Sequence, residues 1–247
     1  MQEFINQFFD VGFMVDHFDE VLKGFWLTIQ IWIVAAVLAL AWGLVLALVR
    51  QSPGRGFRPV RFVTIAYIDV FRAVPLLLLI VIIALGIPSL EFLPKSLRIP
   101  QWLGKPDPFW YGTLALTITY GAYMAEVYRA GIEAVPHGQM EAARSLGMSH
   151  GKAMRNVIVP QAVRKIPAPM LNELIALMKD TTLVSVIALN EVLQVGSDIQ
   201  SYTYNSSALT LGALMFIVVI LPLARLIDRL IARNQLRVAR GSHIEVA

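Results

Sequence analysis

Two stretches of this chain contain no charged residue over a length that matches the thickness of a bilayer. They run from Gly24 to Val49 and from Ile199 to Ala224, and Leu, Ile, Val, Ala and aromatic residues dominate both. About 20 apolar residues in an α-helix span the ~30 Å hydrocarbon core of a membrane. A helix also satisfies its own backbone hydrogen bonds there, where no water can do so. Both stretches are therefore predicted to be transmembrane helices.

Three weaker apolar segments extend this prediction. The chain is 57% hydrophobic and 15% charged, with a mean hydropathy of +0.63, which is too apolar for an ordinary soluble domain. The fourth segment is the most polar of the set, since it holds Glu173, Lys179 and Asp180. We predict an all-α membrane protein that forms a single domain over residues 1–247. Its five transmembrane helices are expected at about residues 22–49, 62–88, 108–132, 166–192 and 203–231.

Shorter segments outside the predicted spans have their own signals. Residues 1–20 combine Phe and acidic residues at helical spacing, which predicts a short amphipathic helix on the outer surface. Pro and Gly at residues 52–56 predict a turn after the first span. Pro75 predicts a kink in the second span. Repeated prolines between residues 87 and 108 predict an external loop with at most one short helix.

Basic residues are distributed unevenly between the predicted loops. Basic residues in short loops stay on the cytoplasmic side, so this distribution places the N-terminus outside and the C-terminus inside. The pI of 9.5 has the same origin, because these residues sit at helix ends against lipid headgroups, and no nucleic-acid partner is expected. The expected cytoplasmic residues include Arg50, Arg55, Arg58, Arg61, Arg233, Arg237 and Arg240, and those opposite them are Lys23, Lys95, Arg98 and Lys105.

The polar segment at residues 136–160, between spans three and four, has a distinctive order of residues. It contains Glu141-Ala142-Ala143-Arg144-Ser145-Leu146-Gly147 and then Val157-Ile158-Val159-Pro160. We predict two short helices joined by a turn at Gly147. Taken alone, the segment is equally compatible with an interfacial amphipathic helix that merely connects two spans.

This segment resembles the cytoplasmic coupling loop of ATP-binding cassette (ABC) importer permeases. The family spacing from Glu-Ala-Ala to Gly and onward to Leu-Pro is kept, with Val157 and Val159 in place of Ile and Leu. Three further runs resemble the polar amino-acid uptake branch of that family, which includes histidine, glutamine and glutamate permeases. They are Phe71-Arg72-Ala73-Val74-Pro75, the run 123–136, and Lys179-Asp180-Thr181-Thr182-Leu183.

The resemblance implies a type I importer permease that passes a polar amino acid into the cytoplasm. Two ATP-binding subunits would bind ATP and Mg and hydrolyse the nucleotide, so that this chain is no enzyme and binds no cofactor. A second permease subunit and an extracytoplasmic amino-acid-binding protein would complete the assembly, in a bacterial-type cytoplasmic (inner) membrane that the chain crosses several times. The residues implied in ATPase coupling are Glu141, Ala142, Ala143, Arg144, Gly147 and Pro160.

Charged residues inside predicted spans need a physical reason, because burying one costs at least ~2.5–3.5 kcal/mol on insertion scales. Lys179 and Asp180 could meet the carboxylate and the ammonium of a zwitterionic amino acid. They could instead pair between helices and fix packing, while solvation among headgroups could explain Glu173. The residues predicted to line a substrate path are Asp69, Arg72, Glu126, Lys179, Asp180, Thr181 and Ser185.

Other functional classes find less support in the sequence. A self-contained proton-coupled secondary transporter using Lys179 and Asp180 would normally show internal repeats and more spans. The G-x-S-x-G pattern around Ser149 lacks the strand that a hydrolase nucleophile elbow needs. Neither Gly-Lys pair fits the phosphate-binding motif G-x-x-x-x-G-K-[ST]. The chain has no cysteine and no close pair of histidines, so no metal site is expected.

Overall fold

The computed structural model describes the backbone of residues 1–52, 54 and 56–242, with side chains described as far as residue 227 and at residue 229. Pro53 and Arg55 of the predicted turn lie outside the described residues, as do the side chains of Arg233, Arg237 and Arg240. The described part of the chain is entirely helical apart from turns and loops.

The helices fall into long apolar elements and short connecting ones. The first six are α1 (Gln2–Phe8), α2 (Val11–Asp16), α3 (Phe18–Gln51), α4 (Arg58–Ala73), α5 (Leu76–Ser89) and α6 (Lys95–Arg98). The remainder are α7 (Asp107–Glu133), α8 (His137–Ser145), α9 (His150–Ala153), α10 (Val159–Val163), α11 (Pro167–Asp180), α12 (Val192–Thr203) and α13 (Ser207–Ser242). Short 3₁₀ segments lie at Trp102–Gly104 and Thr181–Ile187, and a π-turn at Met154–Ile158 joins α9 to α10.

Length and composition identify two helices that could cross a membrane, α3 and the Ser207–Ile227 part of α13. The number rises to four if each of two bent helix pairs counts as one broken span. The helix α7 has 27 residues, but its Tyr, Thr and charged residues lower its mean hydropathy, and it is not one of these helices. The all-helical fold is confirmed over the described residues. The predicted count of five spans is not confirmed, because length and composition identify two to four.

The predicted second span is broken at Pro75 instead of being one kinked helix. The helices α4 and α5 meet at an angle of 107°. Val74 lies in the extended region, with φ −74° and ψ 129°, because the ring of the following proline disfavours the helical conformation for the residue before it. Pro75 also lacks the N–H that would continue the helix.

The predicted fourth span, residues 166–192, is also interrupted. The hydroxyls of Thr181 and Thr182 donate to the carbonyls of Met178 and Lys179, at 2.6 and 2.8 Å, and such local bonds compete with the α-helical pattern. The 3₁₀ segment that follows ends at Ala188, which has a left-handed φ of 56°. After a bend of 51° the chain resumes as α12. That helix ends at Thr203, before Tyr204 with its left-handed φ of 57°, so the last long helix begins at residue 207 and not at 203.

A buried carboxylate fixes the start of α12. The side chain of Glu191 is fully buried and accepts hydrogen bonds from the Gln194 N–H at 2.9 Å and from the Thr28 hydroxyl at 3.3 Å. The Thr28 oxygen in turn accepts from the Val192 N–H at 3.2 Å. These bonds satisfy donors that every helix N-terminus leaves open and attach α12 to α3.

The helices α3 and α7 form the central pair of the fold. They approach closely at Gly43, where an added Cβ would lie 2.5 Å from the Met124 Cβ, and at Gly121, where it would lie 2.6 Å from a Trp42 ring atom. Glycine permits this approach because it has no side chain. The Trp32 indole N–H donates to the Leu174 carbonyl at 2.9 Å, which ties α11 to the same pair.

Candidate functional site

Asp180 lies at the break between α11 and the 3₁₀ segment, where α7 packs closely. The hydroxyl of Tyr120 on α7 donates to the Asp180 Oδ2 at 2.8 Å. Tyr120 is buried and Asp180 is half-buried. A hydrogen bond to an ionised group is stronger than a neutral one, so this contact fixes the carboxylate against α7.

A second tyrosine on α7 connects this carboxylate to Arg72. The rings of Tyr120 and Tyr123 lie 5.6 Å apart, and the Arg72 guanidinium carbon lies 5.6 Å from the Tyr123 ring centre. The Tyr123 hydroxyl also donates to the Arg72 backbone carbonyl at 3.5 Å. A cation over an aromatic face at this distance is attracted to the ring, so the Arg72 side chain is drawn toward α7.

Glu173 completes what we call the polar cluster, which consists of Arg72, Tyr120, Tyr123, Glu173 and Asp180. Glu173 precedes Asp180 by two helical turns on the same face of α11. It interacts electrostatically with Arg72 and with Tyr120. The cluster therefore presents two carboxylates and one guanidinium, which is the set of groups that an ammonium and a carboxylate require as partners.

The other predicted substrate-path residues have different surroundings. Lys179 is exposed beside Asp180. Thr181 is fully buried and bonded to its own helix. Ser185 is half-buried in the 3₁₀ segment, and Asp69 is exposed one turn before Arg72 on α4.

Glu126, which was also predicted to line the substrate path, lies outside the polar cluster. Its carboxylate forms ion pairs with Arg50 on α3 and with Arg129 on α7. The structure thus joins Arg72 to Asp180 through two tyrosines and leaves Glu126 outside that cluster.

Sequence reasoning missed three members of the polar cluster. Tyr120 and Tyr123 are spaced to lie on one helix face, and Glu173 and Asp180 are spaced likewise. These spacings were available in the sequence. What the sequence did not reveal is that the two faces meet, because that depends on how α7 packs against α11.

The segment that resembles a coupling loop is built around α8, as predicted. The helix ends at Ser145, and Gly147 two residues later has a φ of +80°. The N–H of Met148 donates to the Ala143 carbonyl at 3.2 Å and that of Gly147 donates to the Arg144 carbonyl at 3.0 Å. This is the Schellman arrangement, in which a left-handed glycine terminates a helix. The two predicted helices and the turn at Gly147 are therefore present in the structure.

Most side chains of α8 are exposed, although Met140 packs against the apolar cluster around Val135 and Gln139 accepts a hydrogen bond from Gln161 at 3.2 Å. Ala143 is the buried residue on this helix, so its methyl group faces its own protein and not a partner. Glu141, Ala142 and Arg144 are exposed, and Leu146 just beyond the helix is 81% exposed. An apolar side chain so fully exposed at a helix end is a candidate anchor for a partner groove.

The chain returns from α8 through a continuous helical stretch that contains Pro160. This proline is exposed and occupies the first turn of α10, directly after the π-turn. Because the helical stretch is continuous there, the proline nitrogen cannot donate a backbone hydrogen bond, and the π-turn that directly precedes it marks where the regular α-helical bonding pattern is interrupted.

The Ser149 pattern that resembles a hydrolase nucleophile has a structural explanation. Ser149 caps α9, since its hydroxyl accepts the Lys152 N–H at 3.4 Å, and a helix precedes it where a nucleophile elbow needs a strand. Among the described residues, no group of three or more His, Asp or Glu side chains could hold a metal ion.

Comparisons with known proteins agree with this architecture. The family described as "Binding-protein-dependent transport system inner membrane component" matches residues 39–235. The arginine transport system permease protein ArtQ of Bacillus subtilis (strain 168) is 36% identical over 203 residues, covering 81% of this chain and 86% of that protein. The probable glutamine ABC transporter permease protein GlnM of the same organism is 34% identical over 179 residues, covering 72% and 76%.

A solved structure is similar over nearly the whole chain. A crystal structure of an amino acid ABC transporter with histidines contains a chain that is 34% identical to this one, with a TM-score of 0.80. The match covers 91% of this chain and 98% of the other. The chain fold and the order of its helices are thus those of a known transporter subunit.

Proposed function

Because the chain belongs to the family of binding-protein-dependent transport system inner membrane components, we propose that it carries a polar amino acid across a bacterial cytoplasmic (inner) membrane. It is the membrane-embedded permease subunit of an ABC transporter and not an enzyme, since ATP hydrolysis in this family belongs to separate ATPase subunits. The alternative of a self-contained proton-coupled secondary transporter is set aside by the same family membership.

The exposure of α8 is the observation that supports coupling most directly. A short helix that buries one small residue and ends in a rigid Schellman turn is suited to insertion into a groove on another protein. We place Glu141, Ala142, Arg144 and Leu146 at that contact, with Gly147 setting the turn. Two ATP-binding subunits, which bind ATP and Mg, would receive this helix and its counterpart on a second permease subunit.

The second permease subunit is supported by the exposure of charged side chains in the broken spans. Lys179 and Arg72 are exposed on the single chain. Within a membrane such groups would contact lipid at high cost unless another chain or a polar cavity covers them. A second copy or a close relative that packs on this face would enclose them in a central cavity.

The polar cluster is our proposed binding place for the amino acid. Asp180 and Glu173 would accept the substrate ammonium, and Arg72 with Lys179 would bind its carboxylate. An extracytoplasmic binding protein would deliver the substrate from the side that holds the N-terminus. We place α7 as the third of five spans, on the basis of the apolar segments, and α8 on the cytoplasmic side, on the basis of the distribution of basic residues.

A reconstitution experiment tests this function. The chain is purified in complex with its ATP-binding subunits, placed in lipid vesicles with the binding protein, and supplied with radiolabelled arginine, histidine, glutamine or glutamate. We expect uptake of at least one of them with ATP and none with a non-hydrolysable ATP analogue. Uptake driven by a proton gradient without ATP would refute the proposal.

A further inference from the structure

Four charged side chains form a ladder where α3 and α7 end side by side. The Glu126 carboxylate accepts hydrogen bonds from Arg50 through its Oε1 and from the Arg129 Nε through its Oε2, the latter at 2.7 Å. Arg129 also pairs with Glu133. The Glu126 and Arg50 side chains are only 16% and 23% exposed, so the bridge between the two helices is largely shielded from solvent.

The ladder reaches the last residue before the connection to α8. Glu133 is the final residue of α7, and α8 begins at His137. The connection of residues 134–136 contains Val135, which is buried in a small apolar cluster with Ile158 and Ala162. The ladder therefore extends from the last turn of α3 to the point where the chain turns into α8.

The same end of α7 also holds the chain that returns from α8. An added Cβ at Gly131 would lie 2.4 Å from the Ile166 Cγ1, so α7 and the start of α11 are in close contact. The Lys165 ammonium donates to the Ala134 carbonyl at 2.6 Å. Any displacement of α8 thus acts first on the last turns of α7.

Two different kinds of contact join α7 to α3. The first kind is close packing of the two helices, which begins at Gly43 and Gly121 and continues along α7 to Tyr128. The Tyr128 hydroxyl donates to the Leu40 carbonyl at 3.3 Å. The second kind is ionic. Within that region Arg50 of α3 pairs with Glu126, and from Glu126 the ladder continues through Arg129 to Glu133 along the last turns of α7. Beyond Tyr128 the last turns of α7 pack against Ile166, so a force on α8 would bend or fray them away from α3 if the ladder were absent.

We propose that Glu126 is a positioning residue for energy coupling, because its bridge from Arg50 to Arg129 makes α3 and α7 move as one body when α8 is displaced. This inference rests on the proposed function. A single carboxylate lies between two guanidinium groups, so neutralising it leaves two like charges close together in a shielded place. The bridge would then open, and the movement of α8 would no longer reach the polar cluster through α7.

The test compares Glu126→Gln with the wild-type complex in the vesicle assay described above. Gln keeps the shape of the side chain and removes the charge. We expect the complex to assemble and hydrolyse ATP, while amino acid transported per ATP falls at least ~5-fold, the lower end of the usual coupling range between linked sites. Glu126→Asp should recover part of the loss. Glu91→Gln, the same change on an exposed loop residue, should have no effect.

Other outcomes would overturn the inference. An unchanged ratio of transport to hydrolysis with a raised KM for the amino acid would place Glu126 in the substrate path. An unchanged ratio with a lower melting temperature of the complex would leave it a purely structural residue. A wild-type complex that hydrolyses ATP without any uptake would refute the proposed function itself, and the inference would fall with it.

Discussion

Substitutions at Gly147 can separate the effect of backbone conformation from the effect of side-chain bulk. Its φ of +80° lies in the left-handed region, yet an added Cβ would meet nothing within 4 Å. Gly147→Ala therefore creates no clash in this chain and tests the conformation alone. A non-glycine residue in that region costs roughly 1–2 kcal/mol. Asn tolerates it better.

The size of the effect follows from the turn. If strain opens it, the bonds from Met148 to Ala143 and from Gly147 to Arg144 are lost, and each contributes about 0.5–1.5 kcal/mol. A shift of one or two kcal/mol changes a population roughly 5–30-fold. We expect Gly147→Ala to weaken binding of the ATP-binding subunit by about that factor and to reduce uptake, and Gly147→Asn to have a smaller effect.

The assay is titration of the purified ATP-binding subunit onto permease held in lipid nanodiscs, followed by vesicle uptake. Gly147→Trp adds bulk to the same strain, so a further loss beyond that of Gly147→Ala would measure crowding at the partner surface. The reasoning would be refuted if Ala bound as tightly as glycine, or if Asn were as damaging as Trp.

Three further predictions test other parts of the structure. Asp180→Asn should lower uptake while the complex stays assembled and hydrolyses ATP. Tyr120→Phe removes a hydrogen bond of about 1.5–3 kcal/mol to a charged group, so it should lower the melting temperature of the complex more than Asp180→Asn does. If Asp180→Asn lowered the melting temperature more, Asp180 would be assigned to packing. Ser96→Cys should react with an impermeant thiol reagent from outside and Gly56→Cys should not, and the reverse pattern would invert the topology. Leu146→Ser should weaken ATPase binding by up to ~1.5–3 kcal/mol, the gain from burying a leucine side chain, and an unchanged affinity in the nanodisc titration would remove Leu146 from the interface.

The sequence by itself determined the class of protein, because the bilayer imposes a length and an apolarity that can be read directly. The run at residues 24–49 lies within α3. The run at residues 199–224 is divided between the end of α12 and the start of α13, because the left-handed Tyr204, with a φ of 57°, ends α12. The glycine that ends α8 was also predictable, since a helix stop in a polar segment is a local event.

Tertiary structure decided which distant residues meet. Glu126 was placed with the substrate-path residues on its charge alone, but packing sets it between Arg50 and Arg129. Ala143 had the small side chain expected at a docking surface, yet the rotation of α8 turns it inward. Local sequence specifies a helix and its ends. Which residues face each other between helices depends on how closely α3, α7 and α11 approach. The glycines at 43 and 121 permit the short distance between α3 and α7 only once both of these helices are in place.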